Sequence, residues 1–445
     1  MFSERTNWRL APNGFTRAVE EARARGAHLL DLTASNPTRV GLQYDSEAIL
    51  NSLRSQQVLD YEPQAKGLVL AREAIARYYS ARRSDREPDV ASTVSTSRVV
   101  DPERIVLTTS TSEGYSFVFR LLCNPGDEFL VPKPSYPLFE FLADLQDVKL
   151  VSYPLIYDHG WQMDFHSLQR AATPRTRGVV VVHPNNPTGS YVKGTEAKLL
   201  NEFCRERGLA LIVDEVFLDY RLEKSGATGP SGEDTLNRSA QSTALPLNTG
   251  SLHARMDRHV PVHPFGRDDR DRSFAGNSEV LTFTLSGLSK VSALPQMKIA
   301  WIATSGPAEP VRMAMERLEV IADTYLSMNA PVQWAVPVLL EQRQSIQQQL
   351  IARVKRNLAE LDRRLAAQNP CQRLCLEGGW YAVLRVPVTR SDEELAIALV
   401  REKSVIVHPG HFYDFESDGY LVLSLIAACE EFAEGTQRIL KLLSC

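Results

Sequence analysis

The chain has 445 residues, 43% of them hydrophobic and 23% charged, with a formal charge of -4 at pH 7. This is the profile of an ordinary globular protein of about two domains. The charge excludes the concentrated basic face that a nucleic-acid partner needs, no apolar run is long enough for a membrane span, and the opening MFSERTNWRL lacks the apolar core of a secretory signal, so the expected location is the cytoplasm. Six cysteines are too sparse for a disulfide framework. Cys371 and Cys375 lack the second Cys or His pair of a zinc site, so no metal is expected.

From Asn13 to Arg25 the apolar residues Phe15, Ala18 and Val19 recur at helical spacing, and the strand-like HLLDLT follows. Ser35-Asn36-Pro37-Thr38 breaks the period. After Tyr61-Glu62-Pro63 a helical pattern begins at Gly67, with Leu70, Ile75, Tyr78 and Tyr79 on one stripe. The polar stretch Ala91 to Arg98 leads into the buried-strand pattern Ile105 to Thr109, then Ser110-Thr111-Ser112-Glu113, then the helical run Tyr115 to Leu122. Two readings of that turn stand side by side. A helix start offers unpaired N–H groups and a positive dipole end, so Thr111 and Ser112 suit a phosphate; the same residue types make an N-cap with its capping box.

Short apolar runs then alternate with helical ones. The apolar runs are Phe129 to Val131, Val148 to Tyr153, Val179 to His183, Leu209 to Val213, Val280 to Leu285 and Ile299 to Ala303, and between them lie the helical stretches Leu138 to Leu145 and Glu196 to Arg207. Strands without clean alternation, separated by helices, predict an α/β fold with a mostly parallel sheet covered on both faces. Ligands of such sheets bind outside the carboxyl ends of the strands. Three turns there carry chemistry: His183 to Gly189, Asp214-Glu215 after LALIV, and SGLSK ending at Lys290. An acid at the end of a buried strand must be paired or put to use. A lysine on a short turn between two buried strands is a candidate Schiff-base lysine, because burying an ammonium is costly.

Arg221 to Ser278 has few periodic apolar positions and predicts a mobile insertion; its His253, His259 and His263 lack a carboxylate pattern that would fix a metal geometry. Val311 to Leu326 and Pro331 to Leu365 are expected helices, the latter with the stripe Ile346, Leu350, Val354, Leu358, Leu361 and Leu365. Trp380 to Val386, Ser404 to Val407 and Tyr420 to Ile426 look like strands, which makes a smaller α+β domain. The expected division is 1–50 joining the small domain, 51–320 as the large domain with the insertion 221–278, and 321–445 as the small domain.

Taken together, these turns resemble the class I/II aminotransferases, pyridoxal-phosphate enzymes of fold type I. Asn186-Pro187-Thr188-Gly189, Asp214 28 positions on, SGLSK at Lys290 and a basic residue eight further on reproduce the family's order, while the 76 positions from Asp214 to Lys290 are stretched by the insertion. The resemblance implies that Lys290 is the Schiff-base lysine and proton-transfer base, that Asp214 pairs with the cofactor's ring nitrogen, and that Asn186 donates to its ring oxygen. It implies that Tyr136 stacks on the ring and that Thr111, Ser112, Ser286 and Lys298 cradle the phosphate. Tyr61 would reach the phosphate of a neighbouring subunit, so a homodimer is implied. The reaction implied is a ping-pong exchange of an amino group between an amino acid and a 2-oxo acid.

Three positions depart from the pattern. Lys298 stands at the family's phosphate arginine, keeping charge but losing the bidentate fork. Phe217 replaces a tyrosine that donates to the ring oxygen. Val422 replaces the arginine that clamps the substrate's carboxylate, so Arg39, beside Ser35 in the SNPT turn, is the expected substitute, with Arg385 as a second option. Val422 also keeps open a lyase or decarboxylase on the same scaffold; a non-catalytic cofactor-binding protein that uses the insertion to contact a partner is a further alternative, against which Lys290, Asp214 and Asn186 together argue.

Overall fold

In the computed structural model of the chain, described for residues 1–8, 10–84, 100–222, 272–366 and 370–444, the apolar runs pair as their lack of alternation demands. The strands in chain order are β1 (Leu30–Asp31), β2 (Ile105–Thr108), β3 (Glu128–Lys133), β4 (Lys149–Tyr157), β5 (Trp161–Met163), β6 (Thr176–Val182), β7 (Ala210–Asp214), β8 (Thr282–Gly287), β9 (Ala300–Ser305), β10 (Gln372–Arg373), β11 (Tyr381–Arg385), β12 (Val405–Ile406), β13 (His408–Pro409) and β14 (Tyr420–Ser424). Eight of them form one sheet in the order β2-β9-β8-β7-β6-β3-β4-β5. From β8 across to β4 every neighbour is parallel. β9 runs against both β8 and β2, and β5 closes the far edge antiparallel.

Alternate residues of the central strands enter opposite cores, which is why each strand reads as continuously apolar. Val180, Val182, Ile212, Phe283 and Leu285 pack on one face with Phe117 and Val118 of the helix Thr111–Leu122 and Leu318 of the helix Ala308–Tyr325. On the other face Val179, Val181, Leu211 and Val213 meet Leu200, Phe203 and Cys204 of the helix Gly194–Arg207.

A second, antiparallel sheet has the order β10-β11-β14-β13. β1 pairs in parallel with β12, Leu30 opposite Val405. Phe15, Ala18 and Val19 pack on Ala396 and Val400, so the N-terminal segment is buried against the C-terminal part of the chain. The single helix expected over 331–365 is two, Ala330–Glu341 and Arg343–Leu365. They serve different cores: Leu339 and Leu340 pack beside the strand ends of β2 and β9, whereas Ile346, Leu350 and Val354 pack under the second sheet.

Most of the expected insertion, 223–271 with its three histidines, lies outside the described residues, as does the polar stretch Ala91 to Arg98. Both flanks of the insertion are packed, with Leu222 at 6%, Phe274 at 8% and Ala275 at 2% exposure. Among the described residues no helix is long and apolar enough to cross a membrane.

Candidate active site

The parallel strands deliver their last residues to one edge. β7 ends on Asp214, which is buried; Tyr115 Oη donates to its Oδ2 at 3.3 Å and the Val216 N–H to its Oδ1 at 3.1 Å. Burial pushes this carboxyl up to about 6, opposed by those two donors and by the charge of Lys290. β8 ends on Ser286 and Gly287, and the short helix Leu288–Val291 follows. A Cβ on Gly287 would stand 2.8 Å from Ala300 Cβ and 3.0 Å from the Ile299 carbonyl, so only glycine lets β8 lie this close to β9 just before the lysine.

Lys290 is partly buried. Its Nζ makes a long 3.4 Å contact to the Ser35 carbonyl and lies 4.8 Å from the ring centre of Trp380 and 5.6 Å from that of Phe217. Burial lowers the amine to about 8 against the opposing pull of Asp214. An amine so placed is neutral often enough near physiological pH to act as nucleophile and proton carrier.

Asn186 and Ser286, both buried, leave Oδ1 and Oγ with no hydrogen-bond partner. An orphaned buried polar atom costs about 1–3 kcal/mol, which marks both as groups shaped for something the chain itself does not supply. At the start of the helix Thr111–Leu122 the two sequence readings divide between residues. Ser110 is the cap, its Oγ accepting from Glu113 N at 3.2 Å, and Glu113 in turn accepts from Thr109 N at 2.7 Å. Thr111 and Ser112, half-buried, keep hydroxyls without a partner among the described residues.

Tyr136 follows β3, with its ring edge-on to Phe139 at 6.2 Å and its phenol raised by burial first and the Asp214 charge second. Its turn is tied to that of Asn186: Ser135 Oγ donates to Asn185 Oδ1 at 3.1 Å, and Asn185 Nδ2 donates to the Pro134 carbonyl at 3.0 Å. Lys133-Pro134, His183-Pro184 and Asn186-Pro187 are cis. Lys298 is exposed, in the left-handed region at φ 50, with no ion pair among the described residues. Ala300, two residues on, pairs with both Gly287 and Thr108, so Lys298 stands between the Lys290 turn and the Thr111 turn.

Other expected residues are not gathered in. Tyr61 is 84% exposed, and Ser35 reaches Lys290 only through its carbonyl. Arg39 is exposed at the end of the turn Pro37–Arg39 with no ion pair among the described residues. Val422 is fully buried in β14, opposite Val383 and His408. Arg385 points outward between the rings of Tyr157 at 5.6 Å and Tyr420 at 5.9 Å. The sequence reading missed Tyr115, Trp380, Asn185 and Tyr220, whose Oη donates to the Lys290 carbonyl at 2.6 Å. Only Tyr115 left a signal: it lies four residues after Thr111, on the same helix face.

Sheet order and the second sheet are those of the fold type I transferases, with the site at the carboxyl ends of the parallel strands. The family model described as aminotransferase class I and II matches residues 27–431, and the chain belongs to that family: it is a pyridoxal-phosphate-dependent aminotransferase. It is 23% identical over 429 residues to a glutamate-pyruvate aminotransferase of Haemophilus influenzae, covering 94% of this chain and 91% of that one. An alanine aminotransferase of Mycobacterium bovis is 23% identical over 423 residues, with 94% and 86% covered. Among solved structures, an alanine aminotransferase of Pyrococcus furiosus superposes with a TM-score of 0.78 at 20% identity, with 100% of both chains covered. The polar set fits the cofactor: an amine, a buried carboxylate, the orphaned hydroxyl of Ser286, the amide of Asn186, which would meet a ring oxygen through Nδ2, and a hydroxyl-bearing helix start lie along one edge.

Proposed function

We propose that the amino group moves between an amino acid and a 2-oxo acid at this strand edge, with Lys290 as the amine that anchors the cofactor and carries the proton. The observation behind the reading is Lys290 Nζ itself, lowered to about 8 and set between the Trp380 ring, the Ser35 carbonyl and the charge of Asp214. When bound, pyridoxal phosphate supplies an electron sink for the pair left on the substrate's α-carbon as its proton departs. Asp214 holds a negative charge where the ring nitrogen must stay protonated, and Tyr115 and Val216 hold Asp214 in place. Asn186 offers its amide to the ring oxygen, and Tyr136 offers its ring as a stacking surface. Thr111, Ser112, Ser286 and Lys298 take the phosphate, using the N–H groups of a helix start.

The exposure of Tyr61, 84%, supports a homodimer in which it reaches the neighbour's phosphate. The names of the relatives support alanine or glutamate as amino donor, and the exposure of Arg39, with no ion pair among the described residues, supports its assignment to the substrate carboxylate. The packing of the first helix on the C-terminal part supports the joining of 1–50 to the small domain. A cytoplasmic location is part of the same proposal. Lys290→Ala decides the main reading: on adding pyridoxal phosphate the variant develops no visible band of lysine-bound cofactor, and a band equal to wild type would contradict the assignment.

A further inference from the structure

Around the backbone of the Lys290 turn lies a set of polar side chains that transamination leaves unused. Asp219, five residues after Asp214, has a side chain only 7% exposed and forms an ion pair with Arg82, 12% exposed. Its Oδ2 accepts from Tyr78 Oη at 3.0 Å and from Gln347 Nε2 at 2.9 Å. The same amide nitrogen donates its second hydrogen to the Val291 carbonyl at 2.8 Å. Both partners accept only, so the amide has one orientation open to it, nitrogen toward them. One residue back, the Lys290 carbonyl accepts from Tyr220 Oη at 2.6 Å; two residues on, the Ala293 carbonyl accepts from Tyr44 Oη at 2.9 Å.

A helix of four residues cannot satisfy its own final carbonyls. Two of them, Lys290 and Val291, and the Ala293 carbonyl just past the helix accept from side chains of three separate parts of the chain: the segment after β7, the helix Arg343–Leu365 and the segment near Tyr44. Asp219 links two of these parts, because it sits one residue before Tyr220 and binds Gln347 directly. A nearly buried ion pair is expensive to keep unless it fixes geometry. The turn it braces carries an amine whose side chain is held, among the described residues, by a long contact to Ser35, by aromatic faces and by the charge of Asp214.

We propose that Gln347 and Tyr220, braced by Asp219 and Arg82, are positioning residues that set where Lys290 Nζ stands, by clamping the carbonyls of its turn. With the clamp intact, the amine stays against Trp380 and Phe217. With the clamp loosened, the side chain swings toward solvent, loses its desolvation and regains a higher proton affinity. The charged group facing Nζ is Asp214, which both variants below leave untouched. The inference rests on reading Lys290 as the active amine, but its test is read on the amine itself.

The full-length chain without added cofactor is exposed to acetic anhydride over a pH series. Acetylation of Lys290 is followed by peptide mass spectrometry, with the exposed Lys149 as internal reference. In the wild type the midpoint is expected below the ordinary lysine range, at about 8. In Gln347→Leu it rises by about one unit, so acetylation at pH 7.5 slows by roughly fivefold to tenfold, and Tyr220→Phe shifts it the same way by less. On the loaded enzyme both variants lower kcat and leave KM for the amino donor unchanged. A Lys290 midpoint unchanged in both variants overturns the proposal, since a merely structural role would alter stability and not the titration. If Gln347→Leu does not fold, Tyr220→Phe, which removes one oxygen, decides alone. If Lys290 proves not to anchor the cofactor, the proposed function falls, yet the acetylation midpoints still decide whether the clamp sets the amine.

Discussion

The strand edge that carries Lys290 and the second sheet that borders it are built on opposite principles. At the edge, Asn186 Oδ1 and Ser286 Oγ are buried without partners, and burial works against the charged forms of both Asp214 and Lys290. In the second sheet, Val383 and Val422 face each other at 3% and 0% exposure, with no charge between them. The first arrangement keeps polar groups that the chain alone does not satisfy; at Val383 and Val422 the second is apolar and offers a carboxylate no partner. On the proposed roles, the carboxylate partner has to come from outside the Val422 position.

The largest effect expected from breaking this contrast is on activity. Asp214→Asn removes the charge at the ring-nitrogen position and lowers kcat by roughly two to three orders of magnitude, measured at saturating amino donor. Next is an attempt to make the second sheet resemble the edge. Val422→Arg buries an unpaired guanidinium and destabilises the fold by about 3 kcal/mol in urea unfolding. A millimolar 2-oxo acid restores part of that loss if the site faces the substrate.

A smaller effect has the opposite sign. Because the Lys290 amine is lowered to about 8 in the fold, the folded chain binds fewer protons than the unfolded one between that pH and the ordinary lysine range. Stability from this group therefore rises with pH across the window, and the penalty is fully present below it. Lys290→Met should make the cofactor-free chain more stable at pH 7 by on the order of 1–2 kcal/mol, the partial exposure of the side chain reducing the figure. The slope above pH 8 should flatten in the same variant. The smallest effect is Arg39→Ala, which raises KM for the amino acid by about fivefold if a solvent-exposed arginine is the carboxylate partner. An unchanged KM for every amino acid removes Arg39 from the site.

Much of the edge was legible because parallel strands end in a fixed place. Asp214, Asn186 and Lys290 each follow a buried run, and the sheet order then brings those turns together. The residues that hold them were not legible. Tyr220, Gln347 and Asp219 act through hydrogen bonds to carbonyls and to each other, and no spacing along the chain records such a partner. Trp380 reads as one more core aromatic, and its place over Lys290 depends on how the second sheet packs. At the start of the helix Thr111–Leu122, Ser110, Thr111 and Ser112 are chemically interchangeable in sequence; only backbone geometry shows that Ser110 is the cap. The break at Gln342 was hidden because both helices share one apolar period, although they enter different cores.

The central claim is that one particular lysine holds the cofactor, and reduction tests it most directly. Borohydride treatment of the enzyme loaded with pyridoxal phosphate, followed by peptide mass spectrometry, should place the reduced cofactor on Lys290 and abolish activity in proportion. A reduced adduct on Lys298 or on any other lysine, with Lys290 unmodified, would contradict the account.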